Sequence, residues 1–168
     1  MTLKLILTRH AKSDWGDADL DDHARPLNAR GRRSALVIGK WLAEEGHLPE
    51  QVLCSTARRT RETYMLAASE WKDAPEPELL DALYHAAPQD MLDILRSRGA
   101  ASSVMMVAHN PGTSIMARML AAEAPEDPDF NRYPTCFTTV FEFDQKSWAQ
   151  VDWGTGKIAA TMTPRRLE

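Results

Sequence analysis

Three short segments of the sequence place arginine and histidine side chains directly after apolar runs. The segments are Arg9-His10, Ser55–Arg59 and His109-Asn110. Their arginines suit a phosphate dianion, because planar guanidinium groups match its oxygens with paired hydrogen bonds. A histidine inside such a pocket can attack phosphorus directly. These residue types therefore indicate phosphoryl-group chemistry with a histidine nucleophile.

Two other interpretations use the same residues. Taken alone, Arg9 and His10 are equally well explained as ordinary polar residues that end a strand. Alternatively, His10 and His109 could be ligands of one metal ion. Neighbouring arginines would repel such an ion, and no Asp or Glu shares these segments.

Two further motifs resemble ligand-binding loops without matching them. Acidic residues at alternate positions in 17–21 are typical of a calcium loop, but Asp22 stands where the turn glycine is required. Gly154–Lys157 lacks the strand-to-helix setting of a phosphate-binding loop, and a hairpin turn explains it better. The sequence therefore predicts no bound metal and no cofactor.

The apolar runs before the three segments predict buried strands. These runs are Leu3–Leu7, Gln51–Cys54 and Ser103–Ala108. Each run is followed by polar residues and then by a helical pattern. The predicted helices run from an Asn28 cap to about Glu45, from a Ser55 cap to about Trp71, over Pro88–Arg98 and over Thr113–Ala121. Strand ends of an α/β sheet converge at one edge, so the three segments are predicted to meet there.

The remaining pattern completes the predicted fold. Residues 79–84 predict a short edge strand, and residues 136–143 and 148–153 predict two C-terminal strands. The predicted fold class is α/β, a three-layer α/β/α sandwich around a mostly parallel sheet with one or two antiparallel C-terminal strands. No repeat or linker divides the chain, so residues 1–168 are predicted to form one domain.

Length, charge and cysteine content restrict the class of protein. The 168 residues carry a net charge of −4, which disfavours binding to nucleic acid. Two isolated cysteines, Cys54 and Cys136, indicate a reduced, cytoplasmic chain. No secretory leader or membrane-length apolar run is recognisable, so no membrane association is predicted. Loops 13–28 and 123–135 are acidic, which predicts that bulky polyanionic substrates are disfavoured.

Three motifs, taken in order, resemble the signatures of the histidine phosphatase (phosphoglycerate mutase-like) superfamily. They are Leu7-Thr8-Arg9-His10-Ala11, the segment Ser55–Thr63 and Ala108-His109-Asn110-Pro111. Their order and spacing, with residues 22–31 between the first two, resemble the short SixA-type branch. The resemblance spans nearly the whole chain and implies a phosphoglycerate mutase-like fold.

The resemblance implies a role for each matched residue. His10 is implied to be the nucleophile that becomes phosphohistidine. Arg9 and Arg59 are implied to hold the phosphoryl oxygens, and His109 to stabilise the developing charge.

Further residues are placed by their spacing within the same motifs. Arg59 matches the motif arginine because it lies four residues from the serine before it and from the threonine after it. Arg58 is then predicted to lie on the helix surface. Ser13 and Asn110 are implied to contact the phosphate.

The general acid is the main departure from the superfamily pattern. Many members carry a glutamate after the second helix that protonates an alkoxide leaving group, and residues 80–85 contain no clean match. Asp81 and His85 are the candidates there. Such an acid contributes roughly 10²–10⁴ in rate for a poor leaving group, whereas imidazole departs readily. The missing match therefore favours protein phosphohistidine as the substrate.

The function predicted from the sequence is a metal-independent phosphatase that forms a phosphohistidine intermediate. Its expected partner is a phosphorylated substrate, in particular a phosphohistidine-bearing protein. Two alternatives stay open: the same chemistry on a small phosphate monoester or anhydride, and a non-catalytic module that binds phosphate or a phosphoprotein. His23 and His47 lie in polar surroundings and are interpreted as surface residues.

Overall fold

The computed structural model describes residues 2–168, so Met1 of the predicted domain lies outside the described residues. Within this range the strands are β1 (Leu3–Arg9), β2 (Gln51–Ser55), β3 (Pro77–Leu80), β4 (Ser103–Ala108), β5 (Thr138–Phe143) and β6 (Lys157–Met162). The α-helices are α1 (Ala29–Glu44), α2 (Arg58–Ala67), α3 (Pro88–Arg98) and α4 (Gly112–Leu120).

The strands form a single sheet in the order β3-β2-β4-β1-β5-β6. The first four strands in this order are parallel, while β5 and β6 run antiparallel to their neighbours. β1 and β4 occupy the two central positions, as their continuous apolar character predicts. This topology confirms the predicted mostly parallel sheet with antiparallel C-terminal strands.

Helices cover both faces of the sheet. Side chains alternate along β1, so that Leu5 and Leu7 pack with α3 and α4 while Ile6 packs with α1 and α2. β4 alternates in the same way, with Met106 on the first face and Met105 on the second. The predicted three-layer sandwich is therefore confirmed.

The starts of α1 and α2 differ in how they are capped. Asn28 caps α1 as predicted, since its side-chain oxygen accepts a hydrogen bond from the Gly31 amide at 2.8 Å. The prediction that Ser55 caps α2 is wrong, because this helix begins at Arg58 and Ala57 precedes it without a side-chain cap. The Ser55 hydroxyl instead pairs with a residue at the end of β4, described below.

Two predicted strands are misplaced in the sequence. The edge strand β3 ends at Leu80, and residues 81–83 form a short 3-10 turn. Residues 148–150 also form a 3-10 turn: Trp148 enters the core, and its indole nitrogen donates to the Ala101 carbonyl oxygen at 2.7 Å. The last strand is β6, which begins at Lys157, the final residue of the predicted hairpin turn. Its position at the sheet edge leaves it half-exposed, so its apolar alternation is weak.

A close backbone approach joins α1 to the loop after β1. A Cβ at Gly31 would lie 2.0 Å from the Lys12 carbonyl oxygen, so only glycine fits at this position. The Asn28 amide donates to the same oxygen at 3.0 Å. The segment that follows His10 is therefore fixed against the start of α1.

Candidate active site

The carboxyl ends of β1, β2 and β4 meet at one edge of the sheet. Arg9 lies opposite Ala108 in the β1–β4 ladder, and the His10 amide donates to the Ala108 carbonyl oxygen at 3.1 Å. The rings of His10 and His109 consequently lie with their centroids 5.3 Å apart. A cavity of about 390 Å³ opens at this edge, lined by Arg9, His10, Lys12, Ser13, Trp15, Asp22, Arg25, Arg59, His85, His109, Asn110 and Thr135.

His10 is buried and is held by a neighbouring backbone group. Its Nδ1 lies 2.7 Å from the Ala11 carbonyl oxygen, which can only accept, so Nδ1 carries the ring proton. Burial, together with the positive charges of Arg9 and Arg59, lowers the pKa of His10 to about 3. The ring is therefore neutral near pH 7, and Nε2 keeps the lone pair that nucleophilic attack requires.

His109 is fixed by the serine at the end of β2. Its Nε2 lies 2.8 Å from Ser55 Oγ, and this oxygen accepts a hydrogen bond from the Ala57 amide at 3.3 Å. Burial, with His10 and Arg59 nearby, lowers the pKa of His109 to about 2. His109 is thus a neutral ring that acts by hydrogen bonding. Its Nδ1 is buried and has no hydrogen-bond partner among residues 2–168.

Arg59 lies almost completely buried on α2, with its guanidinium group held by Asp22. Its Nη2 donates to the Asp22 carboxylate at 2.9 Å and its Nη1 to the Asp22 carbonyl oxygen at 2.6 Å. Arg59 Nε is buried without a partner in the described part of the chain. The adjacent Arg58 is exposed and pairs with Glu62 at 3.0 Å, which agrees with its predicted place on the helix surface.

The Asp22 carboxylate joins side chains from three parts of the chain. Besides Arg59, it accepts from Arg25 at 3.0 Å, from Tyr84 at 2.5 Å and from His85 at 3.0 Å. Burial alone would raise the pKa of Asp22, but these four hydrogen bonds hold it well below its ordinary value. Asp22 is therefore ionised, and it orients two arginines at the cavity wall.

Arg25 links the Asp22 group to the predicted phosphate contact at Ser13. Arg25 Nη1 donates to Ser13 Oγ at 2.7 Å, while the Trp15 ring lies 3.5 Å from the guanidinium carbon. Ser13 lies in the cavity lining, as its predicted role requires, and its hydroxyl positions Arg25. Trp15 itself is 75% exposed beside the cavity entrance.

Arg9 and Asn110 are both anchored to the loop before β5. Arg9 Nη1 donates to the Tyr133 carbonyl oxygen at 3.2 Å, and Asn110 Nδ2 donates to the same oxygen at 3.0 Å. Asn110 Nδ2 also donates to the Arg132 carbonyl oxygen at 3.3 Å. Arg9 Nε stays without a partner among the described residues. Asn110 lines the cavity and fixes the loop that supports Arg9.

The two candidates for the general acid lie in different places. His85 is half-exposed in the cavity lining, with its ring centroid 5.0 Å from that of His109. Asp81 lies outside the lining and accepts from Thr56 Oγ1 at 2.6 Å. His23, interpreted as a surface residue, is half-buried and lies 2.9 Å from the same hydroxyl.

The described residues contain neither a cluster of metal-ligand side chains nor a membrane-spanning helix. Among residues 2–168, no three His, Cys, Asp or Glu side chains lie close enough together to hold a metal ion. No helix in this range is long and apolar enough to cross a membrane.

Relatives and solved structures resemble this chain over nearly its full length. The uncharacterized protein Rv1276c of Mycobacterium tuberculosis is 34% identical over 94% of this chain and 99% of its own. An uncharacterized chloroplastic protein of Arabidopsis thaliana is 30% identical over 88% of this chain and 69% of its own. A proposed phosphohistidine phosphatase SixA from Nakamurella multipartitia shares 27% identity and a TM-score of 0.81, covering 98% of this chain and 97% of that one.

The fold and the family model agree with these relatives. The protein histidine phosphatase SixA complexed with tungstate has the same fold, with a TM-score of 0.79 at 21% identity, over 99% of this chain and all of that one. The model of the histidine phosphatase superfamily (branch 1) matches residues 5–85. The chain belongs to the histidine phosphatase superfamily. The resemblance drawn from the three motifs, including the SixA-type branch, is thereby confirmed, and the protein is a phosphatase.

The sequence motifs do not identify the whole of this histidine phosphatase site. They indicate no role for Asp22 or Tyr84, although the structure places Asp22 between Arg25 and Arg59. The only local signal was the spacing of three between Asp22 and Arg25. The Tyr84 contact joins residues 62 positions apart, so no local pattern could reveal it.

The burial of His10 makes the stability of this phosphatase depend on pH. The pKa of His10 is about 3 in the folded protein against 6.5 ordinarily, so the unfolded chain binds more protons at intermediate pH. Acidification therefore lowers the free energy of unfolding as the pH falls from above 6.5 towards 3. His10 should contribute about 2 kcal/mol to the loss between pH 8 and pH 5. Between pH 8 and pH 5, the free energy of unfolding of His10→Gln should therefore fall by less than that of the wild type, and the difference should equal this contribution. Urea titrations without phosphate measure both losses. Equal losses in the two proteins would contradict the prediction.

Proposed function

We propose that this phosphatase hydrolyses phosphohistidine on proteins through a phosphoenzyme formed at His10 Nε2. The observation that carries this proposal is the hydrogen bond from His10 Nδ1 to the Ala11 carbonyl oxygen. This hydrogen bond supports the proposal because it puts the proton on Nδ1, so that Nε2 keeps the lone pair that a nucleophile needs.

The reaction has two steps. In the first, Nε2 of His10 forms a bond to phosphorus while the bond from phosphorus to the leaving group breaks, and the leaving group takes up a proton from solvent. In the second, water attacks the phosphohistidine, the N–P bond breaks, and inorganic phosphate leaves a neutral His10. No oxidant, reductant or metal ion takes part in this balance.

Partnerless polar atoms supply the contacts to the phosphoryl oxygens. Arg9 Nε and Arg59 Nε are buried donors without partners in residues 2–168, and both residues line the cavity. Charge-assisted hydrogen bonds from guanidinium groups stabilise the charge that spreads over the oxygens in the transition state. Since Ser55 Oγ accepts from the Ala57 amide, its own proton can go to His109 Nε2. The ring proton of His109 then lies on Nδ1, which donates to the same oxygens.

The acid–base groups of the cavity favour a leaving group that needs little assistance. Among residues 2–168, Asp22 is the one carboxyl residue in the lining, and its lowered pKa keeps it ionised. An ionised carboxylate cannot protonate a leaving alkoxide. Phosphohistidine releases imidazole, which is a far better leaving group than an alkoxide. The name of the Nakamurella structure, a proposed phosphohistidine phosphatase, supports the same substrate class.

A comparison of matched phosphopeptides tests this proposal. The substrates are two peptides that differ only in carrying phosphohistidine or phosphoserine, and release of inorganic phosphate is measured at pH 7. We expect kcat/KM to be at least about 10²-fold higher for the phosphohistidine peptide, because no protonated carboxyl group of the cavity assists the alkoxide of serine. Equal or faster release from phosphoserine would overturn the proposed substrate and favour the monoester alternative.

The two acid candidates provide a matched pair of variants for the same assay. If His85 gives limited help to an alkoxide, His85→Gln should lower phosphoserine hydrolysis about tenfold more than phosphohistidine hydrolysis. Asp81→Asn should leave the ratio of the two rates unchanged, since its carboxylate lies outside the lining and bonds Thr56. A ratio that changes only in Asp81→Asn would reassign the acid.

A further inference from the structure

A second cleft adjoins the cavity that His10, Arg59 and His109 line, here called the catalytic cavity. It has a volume of about 220 Å³, and Lys12 and Thr135 line both spaces. Its other walls come from the start of α1, the loop before β5 and the chain after β6, which contribute Arg30, Arg132 and Arg165. We call this space the cationic cleft. It extends the positive wall of the catalytic cavity across the surface.

Charge in the cationic cleft is only partly compensated. Among residues 2–168, four cationic side chains line it against two acidic side chains, those of Asp129 and Glu168, in a chain whose net charge is −4. Asp129 pairs with Arg132 at 3.5 Å and with Arg166 at 3.4 Å. Within residues 2–168, no carboxylate oxygen lies within 4.0 Å of Lys12, Arg30 or Arg165. These three cations are therefore available to an external anion.

Arginines neutralise some carboxylates of the two acidic loops. In loop 13–28, Asp22 is bound by Arg25 and Arg59. In loop 123–135, Asp127 is bound by Arg166 at 2.7 Å. Carboxylates in such ion pairs contribute little field beyond their partners. The other aspartates of loop 13–28 form no ion pair within residues 2–168, so the expectation that these loops disfavour bulky polyanionic substrates stays a prediction.

Size and exposure favour a macromolecular ligand over a small one. Pockets for small ligands enclose roughly 300–1,000 Å³ and surround the ligand with buried groups. The cationic cleft is smaller, and its charged side chains reach into solvent, with Arg132 73% exposed. A single exposed ion pair contributes little binding free energy. Several exposed charges together can steer a protein of opposite charge to the surface and discriminate between partners.

We propose that the cationic cleft binds acidic side chains of the phosphoprotein substrate, next to the phosphohistidine that enters the catalytic cavity. This inference rests on the proposed function and adds to it a preference among phosphoprotein substrates. The enzyme selects phosphohistidines whose neighbouring residues are aspartate or glutamate. Lys12 lines both spaces, so its ammonium group lies between the phosphoryl group in the catalytic cavity and the carboxylates in the cationic cleft.

Two phosphohistidine peptides test this selection. They differ only in carrying Asp and Glu, or Asn and Gln, two to four residues from the phosphohistidine, which corresponds to roughly 7–14 Å of extended chain. At low ionic strength the wild type should prefer the acidic peptide in kcat/KM by about tenfold. The preference should shrink at 0.5 M salt, where exposed charges are screened.

A charge-reversal pair identifies the surface responsible. Arg30→Glu with Arg165→Glu should reduce the preference for the acidic peptide to about onefold. Arg33→Glu with Arg118→Glu makes the same change in net charge at exposed positions outside both spaces, and should keep the tenfold preference. Thermal unfolding of both double variants verifies that they fold.

Each outcome bears on one of the two proposals. Equal turnover of the two peptides by the wild type overturns the role of the cleft and leaves the phosphohistidine phosphatase in place. An equal loss of preference in both double variants also overturns it, because net charge alone would then explain the selection. Turnover of small monoesters without turnover of either peptide overturns the proposed function and the inference that rests on it.

Discussion

Replacing His10 with alanine is expected to lower kcat by at least about 10⁴-fold, because the proposed nucleophile of the first step, which is also the leaving group of the second, is lost. The wild-type enzyme, mixed with a phosphohistidine peptide and quenched without acid, should carry phosphate on His10. The variant should carry none at this position. Mass spectrometry of the intact protein and of its proteolytic fragments measures this difference.

The structure supplies the control for this variant. His10 contacts backbone at Ala11 and Ala108 from the end of a central strand, so its side chain can be removed without unpairing β1 from β4. We expect His10→Ala to keep its circular dichroism spectrum and cooperative unfolding. A folded variant that retains turnover would exclude His10 as the nucleophile.

Replacing Arg59 with alanine is expected to lower kcat/KM by about 10²–10³-fold, the usual effect of losing one preorganised transition-state contact. Arg59 is 2% exposed, so the charge of its guanidinium group acts in a region from which water is largely excluded. Lysine at this position keeps a charge but lacks the planar fork, so Arg59→Lys should recover only part of the loss. Steady-state release of phosphate from a phosphohistidine peptide measures both variants.

The neighbouring arginine is a matched control for Arg59. Arg58 lies one residue earlier on α2, is exposed and pairs with Glu62; exposed i, i+4 pairs of this type contribute about 0.3–0.5 kcal/mol. Arg58→Ala should therefore change kcat/KM less than about twofold. Similar losses in the two alanine variants would show that the general charge of the helix matters and that Arg59 has no special role.

Asp22 explains how Arg59 is held ready for an anion. The Asp22 carboxylate and carbonyl oxygens take up hydrogen bonds from Nη2 and Nη1, which fixes the plane of the guanidinium group. Arg59 Nε stays free of protein partners in the described part of the chain. A guanidinium group has five N–H donors, so these contacts leave donors for phosphoryl oxygens. Asp22 thus fixes the orientation of Arg59, a contact that none of the three motifs indicates.

In the proposed function, buried charges of the cavity act on the reacting phosphoryl group, and exposed charges of the cationic cleft select the protein substrate. Buried charges such as Arg59 act strongly on the reacting group because little water screens them. Exposed charges such as Arg30 and Arg165 act weakly and over longer distances, and salt reduces their effect. The chemistry and the choice of partner should therefore respond differently to ionic strength.

The sequence by itself determined the fold class and the residues at the strand ends. Apolar runs and the polar residues that end them are local patterns, so they located β1, β2 and β4 and therefore His10 and His109. The Asn28 cap and the ends of α3 were predictable for the same reason. The edge strand β6 was not, because a half-exposed strand lacks a clear apolar pattern.

Only the tertiary structure decided how these residues work together. Ser55 was predicted to cap a helix, and the structure pairs it with His109, 54 positions away. Asp22 meets Arg59 across 37 positions and Tyr84 across 62. The four cations of the cationic cleft come from separate segments that the fold brings together. Such contacts depend on how helices and loops pack on the sheet, and no spacing along the chain specifies them.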